Sequence, residues 1–76
     1  RELILVKIEA KPHERPGIIA IADVFRAKIV DVGSDSVMVE LTGNQAKMNA
    51  CVKLLDDYNI IELVRTGVTG LARGTE

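Results

Sequence analysis

The stretch K28-IVDV-G33-SD-S36-VMVELT-G43 decides the fold. It holds two short runs rich in β-branched residues, separated by Gly33, Ser34 and Asp35. Such runs favour a pleated surface, and Gly, Ser and Asp favour a tight reversal. Lys28–Gly33 and Ser36–Thr42 therefore predict two strands joined as a hairpin. Val37, Val39 and Leu41 alternate with polar residues and Met38, which marks one buried face.

Working outward from the hairpin, each side carries a helix and then a strand. Upstream, Ile18, Ile21, Ala22 and Phe25 recur at helical spacing in IIAIADVFRA, with Asp23 and Arg26 opposite and Ile19 beside them. The spacing predicts a helix over 18–27. Pro16 can open it, because the first helical position has no use for an N–H. Downstream, Met48, Cys51, Val52, Leu55 and Tyr58 form a second stripe, with Gln45, Asn49, Lys53 and Asp56 on the wet side. Thr42 and Gln45 have capping-box spacing, and Asn44 is a rival cap. Asn59 is a candidate helix stop. At the two ends, LILVKIEA (Leu3–Ala10) and IIELVRTGV (Ile60–Val68) read as strands. KPHERPG between the first strand and helix is a loop, punctuated by two prolines and a glycine.

The order is β-α-β-β-α-β. Right-handed crossovers and antiparallel pairing then favour one arrangement. It is a single α+β domain over residues 1–76, ferredoxin-like, with a four-stranded antiparallel sheet in order 4-1-3-2. Both helices lie on one face. The inward set is Ile4, Val6, Ile8, Val30, Val32, Val37, Val39 and Leu41, with Ile61 and Leu63. The other face is left bare, yet it receives Leu3, Leu5, Met38, Ile60 and Val64. A contiguous apolar patch on a small domain marks a contact surface, so these five are the candidate self-association face. Lys7, Glu9, Asp31, Glu40 and Glu62 ring or interrupt it.

Composition narrows the function further. The chain has 76 residues, 47% of them hydrophobic, and a net charge of −1. Domains this small bury only about 60% of their unfolded surface, so a partner subunit helps them. Phe25, Tyr58 and His13 are the only aromatic rings. With no basic field and no aromatic platform, nucleic-acid binding is disfavoured. No apolar run approaches the roughly 20 residues of a membrane span. The single cysteine, Cys51, sits in a helical stripe and reads as a buried, inert thiol. One cysteine cannot form an internal disulfide or a Cys-rich zinc site, and a reducing, cytoplasmic setting agrees with it. No signal peptide is visible.

Catalytic chemistry is hard to place. His13 lies in a proline-flanked loop without a paired nucleophile. Asp56 and Asp57 diverge by about 100° on a helix. Glu2, Glu9 and Glu14 lack metal-ligand spacing. The heavy-metal carriers of this topology need a CxxC loop, and the RNA-binding versions need aromatics on strands 1 and 3. Acylphosphatase-like enzymes need a Gly-rich, Arg-bearing loop, which KPHERPG matches poorly. A binding or regulatory module remains. In IIELVRTGVTGLARGTE (Ile60–Glu76), glycines alternate with two arginines but open no helix, so the stretch is no anion cradle. Arg65, Thr66, Gly67, Leu71 and Arg73 are candidate partner-docking residues, against the plainer reading of a solvated terminus.

FRAKIVDV (Phe25–Val32), VELTG (Val39–Gly43) and IIELVRTGVTGLARG (Ile60–Gly74) resemble the C-terminal domain of the small, regulatory subunit of acetohydroxyacid synthase, also called acetolactate synthase. The likeness covers nearly the whole chain. It implies a non-catalytic part of a thiamine-diphosphate-dependent holoenzyme. Thiamine diphosphate, Mg²⁺ and FAD would be held by a separate catalytic large subunit and none by this chain. The small subunit of that family activates its partner, confers feedback inhibition by branched-chain amino acids and is typically a dimer. Its valine site lies in an N-terminal ACT domain that this sequence lacks. The resemblance implies a cytoplasmic location, or a plastid one in a plant. The alternative is a stand-alone ACT-like module that senses an amino acid.

Overall fold

A computed structural model describes residues 2–67. Four strands, β1 (Glu2–Glu9), β2 (Lys28–Val32), β3 (Ser36–Gly43) and β4 (Asn59–Gly67), alternate with helices α1 (Arg15–Val24) and α2 (Gln45–Leu55). They pair antiparallel in the order β2-β3-β1-β4. That is the ferredoxin-like arrangement expected from the sequence, viewed from the opposite edge.

Alternation builds the core. Ile4, Val6 and Ile8 of β1 and Val37, Val39 and Leu41 of β3 are all at most 2% exposed. They meet Ile18 and Ala22 of α1, and Met48, Cys51 and Leu55 of α2. Phe25, Tyr58 and Ile60 pack around the margin of this cluster. Neither described helix covers the other face of the sheet, and Leu3, Leu5, Lys7 and Met38 are only half-buried there.

Local chemistry sets the boundaries. Helix α1 begins three residues earlier than expected, with Pro16 in its first turn. A single 3-10 turn (Pro12–Glu14) leads into it, held by the Glu14 carboxylate accepting from the Lys11 N–H at 3.0 Å. Arg15 ties this entrance to the hairpin turn. Its guanidinium donates to the carbonyls of Ala10 (3.3 Å), Gly33 (2.9 Å) and Ser34 (2.6 Å). Of the two rival caps for α2, Asn44 prevails: its side chain accepts from the Lys47 N–H at 2.8 Å. Thr42 stays in β3.

Helix α1 also stops earlier than its stripe suggests. The Ala27 N–H bonds the Ala22 carbonyl at 2.8 Å, and the Arg26 N–H bonds that of Asp23 at 3.1 Å. This is a Schellman stop, with Arg26 at the position normally held by glycine. Its φ is +58°, left-handed for a residue with a Cβ. That conformation costs roughly 1–2 kcal/mol.

Two bulges correct the expected inward set. One lies between Ile29 and Asp31 of β2, so Ile29 opposes buried Val39, and Val30 drops out of register. Val30 and Val32 are 45% and 55% exposed, because β2 is an edge strand. The other shifts the β1–β4 register between Lys7 and Ile8, leaving Ile61 unpaired. Ile61 is 54% exposed, and Leu63, though opposite Val6, is 37% exposed at the β4 edge.

Candidate functional site

The uncovered face can be read row by row, since directly opposed residues in antiparallel strands share a face. Leu3 lies between Thr42 and Thr66. Leu5 lies between Glu40 and Val64. Lys7 lies between Met38 and Glu62. Leu5, Met38 and Val64, with Lys7 and Glu62, line one shallow depression. Val64 remains 41% exposed. An apolar strip thus crosses three strands, with Lys7 and the carboxylates of Glu62 and Glu40 at its border. Glu9 and Asn59 close one end, the Asn59 amide donating to the Glu9 carboxylate at 2.7 Å. At the other end the Thr66 hydroxyl donates to the Leu3 carbonyl at 3.3 Å.

Four of the five residues expected on this face share it: Leu3, Leu5, Met38 and Val64. Ile60 does not. Beyond the bulge in β4 it opposes buried Ile8 and packs against the helix-side core. One extra residue in a strand reverses the alternation, and that inverted its expected face.

The candidate docking residues do not form one surface. Arg65 opposes Ile4, on the helix side, and donates to the Asn49 side-chain carbonyl of α2 at 2.6 Å. Thr66 points to the open face, opposite Leu3, and Gly67 ends β4. Leu71 and Arg73 lie outside the described residues. By its spacing, Asn49 belongs to the wet side of α2. Its partnership with Arg65 depends on how α2 crosses the sheet, which no local pattern announces.

Among the described residues, no three His, Cys, Asp or Glu side chains converge as metal ligands would. His13 is exposed in the 3-10 turn. Cys51 is buried, and burial pushes its thiol pKa up, against a smaller lowering by the Lys47 charge. It therefore stays protonated and is a poor nucleophile at neutral pH. No described helix is long and apolar enough to cross a membrane.

Comparison with known proteins finds relatives along nearly the whole chain. Residues 1–74 match the family model described as the small subunit of acetolactate synthase. The chain is 46% identical over 76 residues to the acetolactate synthase small subunit of Bacillus subtilis, covering all of this chain and 44% of that protein. It is 45% identical over 73 residues to the chloroplastic acetolactate synthase small subunit 1 of Nicotiana plumbaginifolia, covering 96% of this chain and 16% of that protein. The crystal structure of the acetolactate synthase small subunit from Thermotoga maritima superposes with a TM-score of 0.80 at 32% identity, over 87% of this chain and 40% of that one. The chain thus spans less than half the length of these relatives. With a family match running almost end to end and the same fold in a solved relative, the chain belongs to the acetolactate synthase small-subunit family.

Proposed function

We propose that this chain is a non-catalytic regulatory domain of an acetohydroxyacid synthase. In this reading it self-associates through the open sheet face. It supports activation and branched-chain amino acid feedback control of a catalytic large subunit, which would carry thiamine diphosphate, Mg²⁺ and FAD. The observation behind the self-association is the apolar strip of Leu5, Met38 and Val64, which neither α1 nor α2 covers and which Lys7 and Glu62 border. Burying apolar area contributes roughly 25 cal/mol per Å², and a domain with few kcal/mol to spare gains from it. The partner assigned to this face is a second copy: the strip carries Lys7 and Glu62 at its border, and a two-fold axis lets each meet its opposite charge on the other copy.

Docking to the large subunit is assigned to the end of the chain: Arg65, Thr66, Gly67, Leu71 and Arg73. A guanidinium at a protein contact brings a planar fork suited to carboxylates. The test is a pull-down of the large subunit from the same organism, with activity measured on the reconstituted pair. Wild-type chain should bind it and change its turnover. Arg65→Ala and Arg73→Ala should each weaken capture. Equal capture by both variants would remove the docking assignment. No capture and no effect of the wild-type chain on turnover would remove the regulatory one.

A further inference from the structure

Beside the association face, at its β2 margin, Arg26, Lys28, Glu40 and Thr42 line a second depression. Lys28 and Glu40 oppose each other in the β2–β3 ladder, and Thr42 follows two residues along β3 on the same face. Arg26 arrives from the helix stop. All but Glu40 are exposed. Neither the Arg26 guanidinium nor the Lys28 ammonium hydrogen-bonds another described residue.

The backbone at Arg26 makes this arrangement informative. With φ at +58° in a Schellman stop, the position favours glycine on conformational grounds alone. A long cationic side chain stands there instead, and it hydrogen-bonds no other described residue. Strain of this kind, held at a surface depression, points to use of the side chain. Glu40 offsets one of the two cations, so the cluster keeps one net positive charge. The Thr42 hydroxyl adds a neutral donor. A guanidinium fork, an ammonium and a hydroxyl lining one depression supply the donors that an oxyanion accepts from.

We propose that Arg26, Lys28 and Thr42 form a binding site for a small-molecule oxyanion, a carboxylate or a phosphate group. Glu40, opposite Lys28 in the ladder, limits the site to a single anionic group. This site adjoins the apolar strip, since Glu40 opposes Leu5 and Thr42 opposes Leu3, so the titration is run at a concentration where sedimentation shows a single species.

The test is an NMR titration of the full chain with inorganic phosphate and, separately, with acetate. Sodium chloride at matched ionic strength is the control. Saturable shifts are expected at the amides of residues 26–28 and 40–42, with a dissociation constant on the order of 1–10 mM. Arg26→Gly should keep the fold, because glycine suits the helix stop, and should weaken binding at least tenfold. Lys53→Gln, on the exposed side of α2, should leave it unchanged. Saturation by either anion supports the site, and the tighter one names its class. Shifts that stay linear, that chloride reproduces, or that Arg26→Gly leaves intact overturn it.

Discussion

Replacing Val64 by Thr probes the association face with little disturbance of the domain. Val64 is 41% exposed and sits opposite Leu5, on the side of the sheet away from the helices. Thr is β-branched and nearly the same size, so the strand keeps its preference and the isolated domain loses almost nothing. In a face-to-face pair the situation differs. Each copy then brings a hydroxyl into an apolar contact, so the swap is no longer conservative. An uncompensated hydroxyl costs about 1–3 kcal/mol by protein mutational measures. Two copies make this about 2–6 kcal/mol per dimer, and 1.4 kcal/mol is a factor of ten. The dimer dissociation constant should rise at least roughly thirtyfold. Sedimentation equilibrium over a concentration series measures it. Urea unfolding below the dissociation constant should show the same midpoint for both chains. The reasoning fails if wild type and Val64→Thr dissociate at the same concentration, or if wild type is a monomer throughout the series.

Arg15→Met removes three charge-assisted contacts between helix α1, the end of β1 and the hairpin turn. Discounted for partial exposure, the loss should be about 2 kcal/mol, or roughly 8–16 °C in melting temperature for a domain of this size. Arg15→Lys, with a point charge in place of a fork, should recover only part of it in the same thermal scan. A Cβ on Gly17 would run into the Tyr58 hydroxyl. Gly17→Ala should therefore destabilise by about 1–3 kcal/mol, and Tyr58→Phe should rescue most of that in a double-mutant cycle. Equal losses in both backgrounds would show that the crowding is relieved elsewhere. Cys51 should resist iodoacetamide in the folded chain and react at the unfolding rate. Its pKa is raised by burial, so the folded state keeps the proton longer than the unfolded one. The stability linked to that proton is complete below the thiol's ordinary value near 9.0 and is lost as pH rises through the higher folded value. Cys51→Ser should flatten this alkaline decline in urea titrations.

The sequence by itself determined the element order, the sheet topology and the existence of an uncovered apolar face. Each follows from one-dimensional regularities: alternation in Val37–Leu41 and Ile4–Ile8, helical spacing in Ile18–Phe25 and Met48–Leu55, and the Gly33–Asp35 reversal. Such periods are imposed by backbone geometry, so they survive in the order of residues alone. The tertiary structure decided which side of the sheet Ile60, Val30 and Ile61 serve, because a bulge is a mismatch between two strands and belongs to neither. It also decided the bonds of Arg15 to residues 18 and 19 positions away and of Arg65 to Asn49. Arg26 is the sharpest case. Nothing in FRAK signals a left-handed residue, yet the chain must leave α1 and start β2 within three residues. Only the packing of that helix against that strand makes arginine take the glycine position.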